Sequence, residues 1–333
     1  MKPEAGLSAP FYGPRDTASV TRSRIETLTK EVASGFTSDA GRALSSDFSA
    51  ISRLSHQMRG LDATRGALSQ AAIWGDTLQT SLDGIAAAGS RLAEQIPPSP
   101  VMASNRPFAL VAETARGAAY DIASALQGQS NGRAVFGNGG TTGPLFSADA
   151  ILVDIETIAV SATDFADYAT KVDAYFAPAG VYETTQLAAF PTAAARFPAG
   201  DGQTVSFDLD AGSDEVRTAL KQAVLIAGLS EAGFDTSGGP ASSIAVELQR
   251  RSAEANGGLP LLQARVGVVE QRIASRLDAV TADRQNAEIA ISDTLGVDPY
   301  DAASRLQNEL TRLETLYAIT ARRSQLRLTD YLR

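Results

Sequence analysis

Both ends of this 333-residue chain carry apolar residues at steps of three and four, while the Gly-rich and most acidic sequence lies between them. Near the N-terminus Leu54, Met58, Leu61, Leu68 and Ala72 keep that spacing, and after a phase slip Leu82, Ile85, Leu92 and Ile96 resume it. Toward the other end Val266, Val269, Ile273, Leu277, Val280, Ala287 and Ile291 do the same, followed by Leu306, Leu310, Leu313 and Tyr317. Such steps hold side chains on one face of a helix, so each stretch bears an apolar seam that has to pack on another helix. The two ends are expected to pair with each other. The expected fold class is therefore mainly α: a long antiparallel helical coiled coil or bundle rod formed by the N- and C-terminal regions, with a small mixed α+β insert. That plan suits an assembly subunit better than an enzyme.

At 44% hydrophobic residues the chain can bury one large core or a few smaller ones, and its aromatic content of 6% fits long helices packed through small residues. There is no cysteine, hence no disulfide framework, thiolate metal site or Cys nucleophile. No run of about 18 apolar residues exists that could form a membrane-spanning helix. Met1 to Pro14 has three prolines and no apolar h-region, so a cleaved secretory signal is not expected. The net charge is −9, and between Asn131 and Pro240 fourteen Asp plus Glu face five Lys plus Arg, so the acidic excess belongs to the middle. An acidic surface without a basic stripe argues against nucleic-acid binding. The locally basic end, Arg322, Arg323, Arg327 and Arg333, reads as cation placement at a helix C-terminus.

Element by element, residues 1 to about 19 read as irregular. A first helix begins near Ser19 to Thr21 and stops at Gly35. A second starts around Ser38 to Ser46 and runs to Ile96, with breaks expected at Gly60, Gly66 and Gly75 and a stop at Pro97 and Pro98. Pro107 to Gln127 is a shorter helix, and Gly128 to Pro144 a Gly-rich loop or hairpin. Ser147 to Phe176 reads as helix, although Ile151 to Val160 is β-branched enough for a strand. Thr204 to Asp210 alternates as a strand, Asp214 to Leu229 as a helix, and Gly233 to Pro240 as a linker. A long helix is expected from about Ser242 to Leu295, with a break at Gly257, Gly258 and Pro260. Asp298 is placed to cap the last helix, with Pro299 in its first turn.

Catalytic constellations are mostly excluded by inventory. His56 is the only histidine, so two-His zinc motifs cannot exist, and its place beside Leu54 and Met58 is that of a helix-surface imidazole. The run Gly137-Asn138-Gly139-Gly140-Thr141-Thr142-Gly143 lacks both the third dinucleotide-loop glycine and a following Gly-Lys-Ser/Thr. Asp208, Asp210 and Asp214 are spaced loosely like calcium ligands, but Ser213 and Ala219 occupy the positions where an EF-hand needs Gly and Glu. Asp164 and Asp167 lie one turn apart as an exposed face, and Trp74 reads as a packing residue. No catalytic residue, cofactor or metal site is expected.

Three places resemble the bacterial flagellin family. The end, Leu316-Tyr317-Ala318-Ile319-Thr320-Ala321-Arg322-Arg323-Ser324-Gln325-Leu326-Arg327-Leu328-Thr329-Asp330-Tyr331-Leu332, resembles the family's last helix with its Asp-Tyr-Leu-like finish. Leu28 to Gly35, closing in Val32-Ala33-Ser34-Gly35, resembles the early helix that ends in Leu-Ser-Ser-Gly. Asn131-Gly132-Arg133-Ala134-Val135-Phe136-Gly137, followed by Pro144-Leu145-Phe146, resembles the Gly-Arg-aromatic-x-Phe-x-Gly segment of the hook-associated proteins that join hook to filament. Departures are the reduction of the usual Asn and paired Asp after Ser-Gly to Asp39, and Ala134 in place of the aromatic.

What the resemblance implies is a structural subunit exported unfolded by a type III route, extracellular and without a cleaved signal, that assembles through its ends. Residues 1–42 and 297–333 would form the terminal coiled-coil region, disordered until assembly. Residues 43–127 and 241–296 would form a helical rod, and 128–240 an acidic outer domain. The implied assembly contacts are Ile25, Leu28, Val32, Leu306, Leu310, Leu313, Tyr317, Leu326, Leu328, Tyr331 and Leu332, and Asn131, Gly132, Arg133, Phe136 and Gly137 open the insert. Implied partners are flagellin, the neighbouring hook-associated junction protein, further copies of this chain in a ring, and an export chaperone. Two other readings stay open: a flagellin that builds the filament itself, and an acidic helical ligand-binding protein or enzyme using the middle domain around Asp208 to Asp214.

Overall fold

The terminal seams do become helices. In a computed structural model, residues 14–43, 48–97, 108–137, 145–187 and 194–331 are described, with side chains of the last helix described as far as Arg322. Helix α1 (Pro14–Ser34) is followed by a single turn α2 (Ala40–Ala43) and by α3 (Ser49–Gln95). Next come α4 (Phe108–Leu126), a hairpin of β1 (Gln129–Ser130) and β2 (Arg133–Ala134), α5 (Ala148–Ser161) and α6 (Phe165–Tyr175). A π turn (Tyr182–Gln186) leads to a second hairpin, β3 (Ala195–Gly200) and β4 (Gln203–Phe207). Helix α7 (Asp214–Ala227), a 3-10 turn (Gly228–Glu231), α8 (Gly238–Leu295) and α9 (Pro299–Tyr331) complete the chain. The fold is mainly α with two small two-stranded antiparallel sheets.

The chain divides into two compact units, Met1–Leu61 with Ala282–Arg333, and Asp62–Thr281. In the first, α1 packs antiparallel on α9. Gly35, at φ +76°, ends α1 as its position after Ser34 requires, donating its N–H to the Glu31 carbonyl at 2.8 Å. Asp298 caps α9, its Oδ1 accepting the Tyr300 N–H at 2.8 Å and the Asp301 N–H at 3.3 Å. A bridge between Phe36 and Gly296 joins the base of the pair.

The second unit holds the main core. Leu68, Leu78, Leu82, Ile85 and Leu92 of α3 are buried in it, as are Val111, Ile122 and Leu126 of α4 and Leu248, Leu259 and Ile273 of α8. Gln79 Nε2 donates to the Gln263 carbonyl at 3.0 Å, and Gln263 Nε2 to Asp83 at 2.6 Å, tying α3 to α8. Buried Tyr168 and Tyr182 each donate the phenol proton to a carbonyl, that of Leu225 at 2.8 Å and that of Ala211 at 2.9 Å, so neither hydroxyl is left unpaired.

Several boundaries differ from the sequence reading. Helix α1 starts at Pro14, before the expected Ser19, because proline's fixed φ and missing N–H suit a first turn. Helix α3 runs unbroken through Gly60, Gly66 and Gly75, and α8 through Gly257, Gly258 and Pro260. Packing overrides propensity there: Leu259 and Leu262 flank Pro260 and both are buried. Ser147 to Phe176 is two helices, the second capped by Asp164, whose Oδ1 accepts the Asp167 N–H at 2.8 Å; Ile151 to Val160 is helix, not strand. Gly238 to Pro240, read as linker, is the first turn of α8.

Candidate functional site

Among the described residues no group of three or more His, Asp or Glu is placed to hold a metal. His56 is exposed on α3. Asp167 is bound to Lys171 at 2.8 Å, which keeps its carboxyl below the usual range, and Asp164 caps a helix. Around Asp208 to Asp214, Asp210 Oδ1 accepts the Gly212 N–H at 3.0 Å and the Ser213 hydroxyl at 3.1 Å, while Asp214 pairs with Arg217. These carboxylates are spent on a turn and a helix start. Trp74 is buried, edge-on to Phe197 at 5.8 Å.

The segment that opens the insert is an anchor for the core. Asn131 and Gly132, at φ +51° and +74°, make the tight turn between β1 and β2, with Gln129 opposite Ala134 and Ser130 opposite Arg133. Both positive angles fit the Asn-Gly turn whose twist matches a hairpin. Val135 donates to the Gly128 carbonyl at 3.0 Å and Gly137 to that of Ala134 at 3.2 Å. Phe136 is buried, and its carbonyl accepts the Ala211 N–H at 3.1 Å, so the segment is stitched to the loop before α7. Leu145 and Phe146 are also buried; Pro144 lies outside the described residues. Arg133 points its exposed side chain outward from this anchor.

The feature that no internal core explains is the α1–α9 pair. On α1, Ala18, Ile25 and Leu28 are half-buried and Thr21 is buried, its hydroxyl donating to the Thr17 carbonyl at 3.0 Å. On α9, Ala302 is buried and Leu306, Glu309, Leu313 and Leu316 are half-buried. The stripe expected as Leu306, Leu310, Leu313 and Tyr317 is therefore split: Leu306 and Leu313 face the seam, whereas Leu310 and Tyr317 are 44% and 45% exposed in the single chain. Ile319 at 59% and Val32 at 39% are likewise left to water. Arg22 lies over the Tyr317 ring at 5.6 Å and donates Nε–H to its hydroxyl at 3.0 Å. The side chains of Leu326, Leu328 and Tyr331, and all of Leu332, lie outside the described residues. What sequence reasoning missed is Glu309, inside the seam at a position where spacing alone calls for an apolar residue.

Most of α8 and the whole of α9 carry the decisive likeness. Residues 253–332 match the bacterial flagellin C-terminal helical region. The likeness is to that region, 80 of the 333 residues. No curated protein matches the chain. The matched region thus includes α9, the helix that leaves Leu310, Tyr317 and Ile319 partly exposed.

Proposed function

We propose that this chain is a structural, non-enzymatic subunit of the bacterial flagellum, seated at the junction between hook and filament. The observation that carries the structural role is the flagellin-like C-terminal arm, paired with α1 and bearing exposed apolar residues that a neighbouring copy would cover. Covering such residues is the dominant favourable term in protein association. The junction is favoured over the filament by the segment Asn131 to Gly137. Its likeness to the junction proteins is one of sequence, and its buried Phe136 gives the apolar position of that motif a packing role. In this reading the C-terminal arm and α1 meet further copies, while the acidic region 128–240 faces solvent and resists non-specific association.

Deleting the gene tests this directly. The expected outcome is non-motile cells that keep hooks, lack filaments and shed unpolymerised flagellin, since nothing seats the first filament subunits. Normal filaments would overturn the junction role. Loss of flagellin itself from the medium would move the assignment to a filament flagellin.

A further inference from the structure

Glu309 occupies a core position of a helix pair. Along α9 the seam steps from Ala302 to Leu306, Glu309, Leu313 and Leu316 in a regular alternation of four and three, and Glu309 alone among them is charged. Its side chain is 17% exposed. Oε1 lies 3.4 Å from Arg24 Nη1 and 3.8 Å from Arg312 Nη1, and Oε2 is buried with no hydrogen-bond partner among the described residues. An apolar side chain would fill this place without leaving an acceptor unmet. Selecting for stability alone would not keep a glutamate there.

The alignment of the pair explains what the carboxylate can do. The Phe36–Gly296 bridge fixes the antiparallel register at the base, with Thr37 N–H donating to the Leu295 carbonyl at 2.8 Å and Val297 N–H to that of Gly35 at 3.0 Å. Carried along both seams, that register sets Leu28 across from Leu306 and Ile25 across from Glu309, with Arg24 beside it. A slide of one heptad would set Glu309 across from Ala18, preceded by Thr17, or from Val32, preceded by Glu31. In the place that Arg24 holds, neither alignment supplies a cation, and the second supplies a like charge.

We propose that Glu309, met by Arg24 in one alignment only, sets the register in which α1 pairs with α9, and does so at the expense of the pair's stability. A polar residue at a seam position is the best attested device for specifying register in helix pairs. Within one chain the junction of Gly35 and Gly296 also resists sliding. Between copies, where α1 of one meets α9 of another, side chains alone select the alignment. The role is independent of whether the subunit sits at the junction or in the filament.

The chain has no cysteine, so introduced pairs report the register without background. In the full-length protein, Leu28→Cys with Leu306→Cys reads the observed alignment, and Leu28→Cys with Leu313→Cys reads a slide of one heptad. With Glu309 in place the first pair is expected to oxidise about tenfold faster than the second, and Glu309→Leu should narrow the ratio to about twofold while the helix signal withstands heat at least as well. Glu309→Gln, which can still accept from Arg24, should keep most of the preference; Arg24→Leu should lose it. An undiminished preference in Glu309→Leu would overturn the proposal. So would a Glu309→Leu chain that loses helix, or a parent chain in which neither cysteine pair oxidises.

Discussion

Asp173 joins three helices through one carboxylate. It accepts from Lys221 on α7 at 2.9 Å and, with both oxygens, from Arg251 on α8 at 3.0 and 2.9 Å. Partial burial alone would raise its carboxyl, but the hydrogen bonds from Arg251 and Lys221 outweigh that and hold it below the ordinary value of 3.8. Glu247 belongs to the same network: bonds from Arg250, against some lost hydration and with help from Arg251, bring it down to about 2. Both folded values lie below the unfolded ones. The stability they add is therefore complete above the ordinary carboxyl range and is lost as pH falls through the depressed values, roughly between pH 4 and 2. Thermal midpoints measured from pH 6 to 2 should drop steeply in that window for the parent and less for Asp173→Asn. At neutral pH Asp173→Asn leaves a largely covered Arg251 without its bidentate partner; since over a third of the Asp173 side chain meets water, the expected loss is about 1 to 2 kcal/mol. A midpoint unchanged at neutral pH would show that the network contributes nothing.

Helix α3 shows why single residues mislead when an element is read from sequence. Its glycines were expected to break it, yet a helix tied to α8 tolerates them, and Gly66 and Gly75 have different neighbourhoods. A Cβ on Gly66 would meet open space, so Gly66→Ala should stabilise the chain by about 0.5 to 1 kcal/mol through backbone entropy alone. A Cβ on Gly75 would lie 2.8 Å from Glu270 Oε1, 3.0 Å from its Cγ and 3.3 Å from Phe207 Cζ. The same propensity gain is there outweighed by overpacking, and Gly75→Ala should destabilise by about 1 to 2 kcal/mol in denaturant titration. Equal midpoints for the two variants would refute the contrast. The long helices and the Gly35 and Asp298 boundaries were legible because periodicity and capping are local signals. Strand β3 was not: Ala195-Arg196-Phe197-Pro198 has no clean alternation, and proline argues against a strand. It is tolerated because a two-stranded sheet is all edge, with Pro198 opposite Thr204 and an irregularity before Gly200. The missed signal was Asp201-Gly202, at φ +52° and +71°, a hairpin turn written plainly beside the one strand that was found. Glu309 was hidden for the opposite reason, since a charged residue at a seam position looks like a lapse in the pattern until its partner helix is in place.

On the scale of the whole molecule, the contrast lies between a middle with its own buried core and terminal helices that have little but each other. A two-helix pair buries too little to offset much of its ordering entropy, and this one also spends seam positions on Thr21 and Glu309. Leu310, Tyr317 and Ile319 stay in water on the same helix. Apart from the contact of Arg22 with Tyr317, that exposed surface adds little to the isolated fold, so its contribution has to appear on assembly. Leu310→Asp separates the two possibilities. Because Leu310 is 44% exposed, the change should lower the unfolding free energy of the unassembled chain by no more than about 1 kcal/mol. In the polymer it would place a carboxylate against a neighbour's apolar surface, at an expected penalty of a few kcal/mol per contact, enough to raise the critical concentration by about tenfold or more. Sedimentation of the polymerised fraction against total protein measures that concentration, and Ile319→Asp, at a residue 59% exposed, should repeat the result. Arg24 cannot rescue either variant, because it is already engaged by Glu309. Unchanged critical concentrations in both would mean that the outer face of α9 stays wet in the polymer and that the neighbour sits elsewhere on the chain.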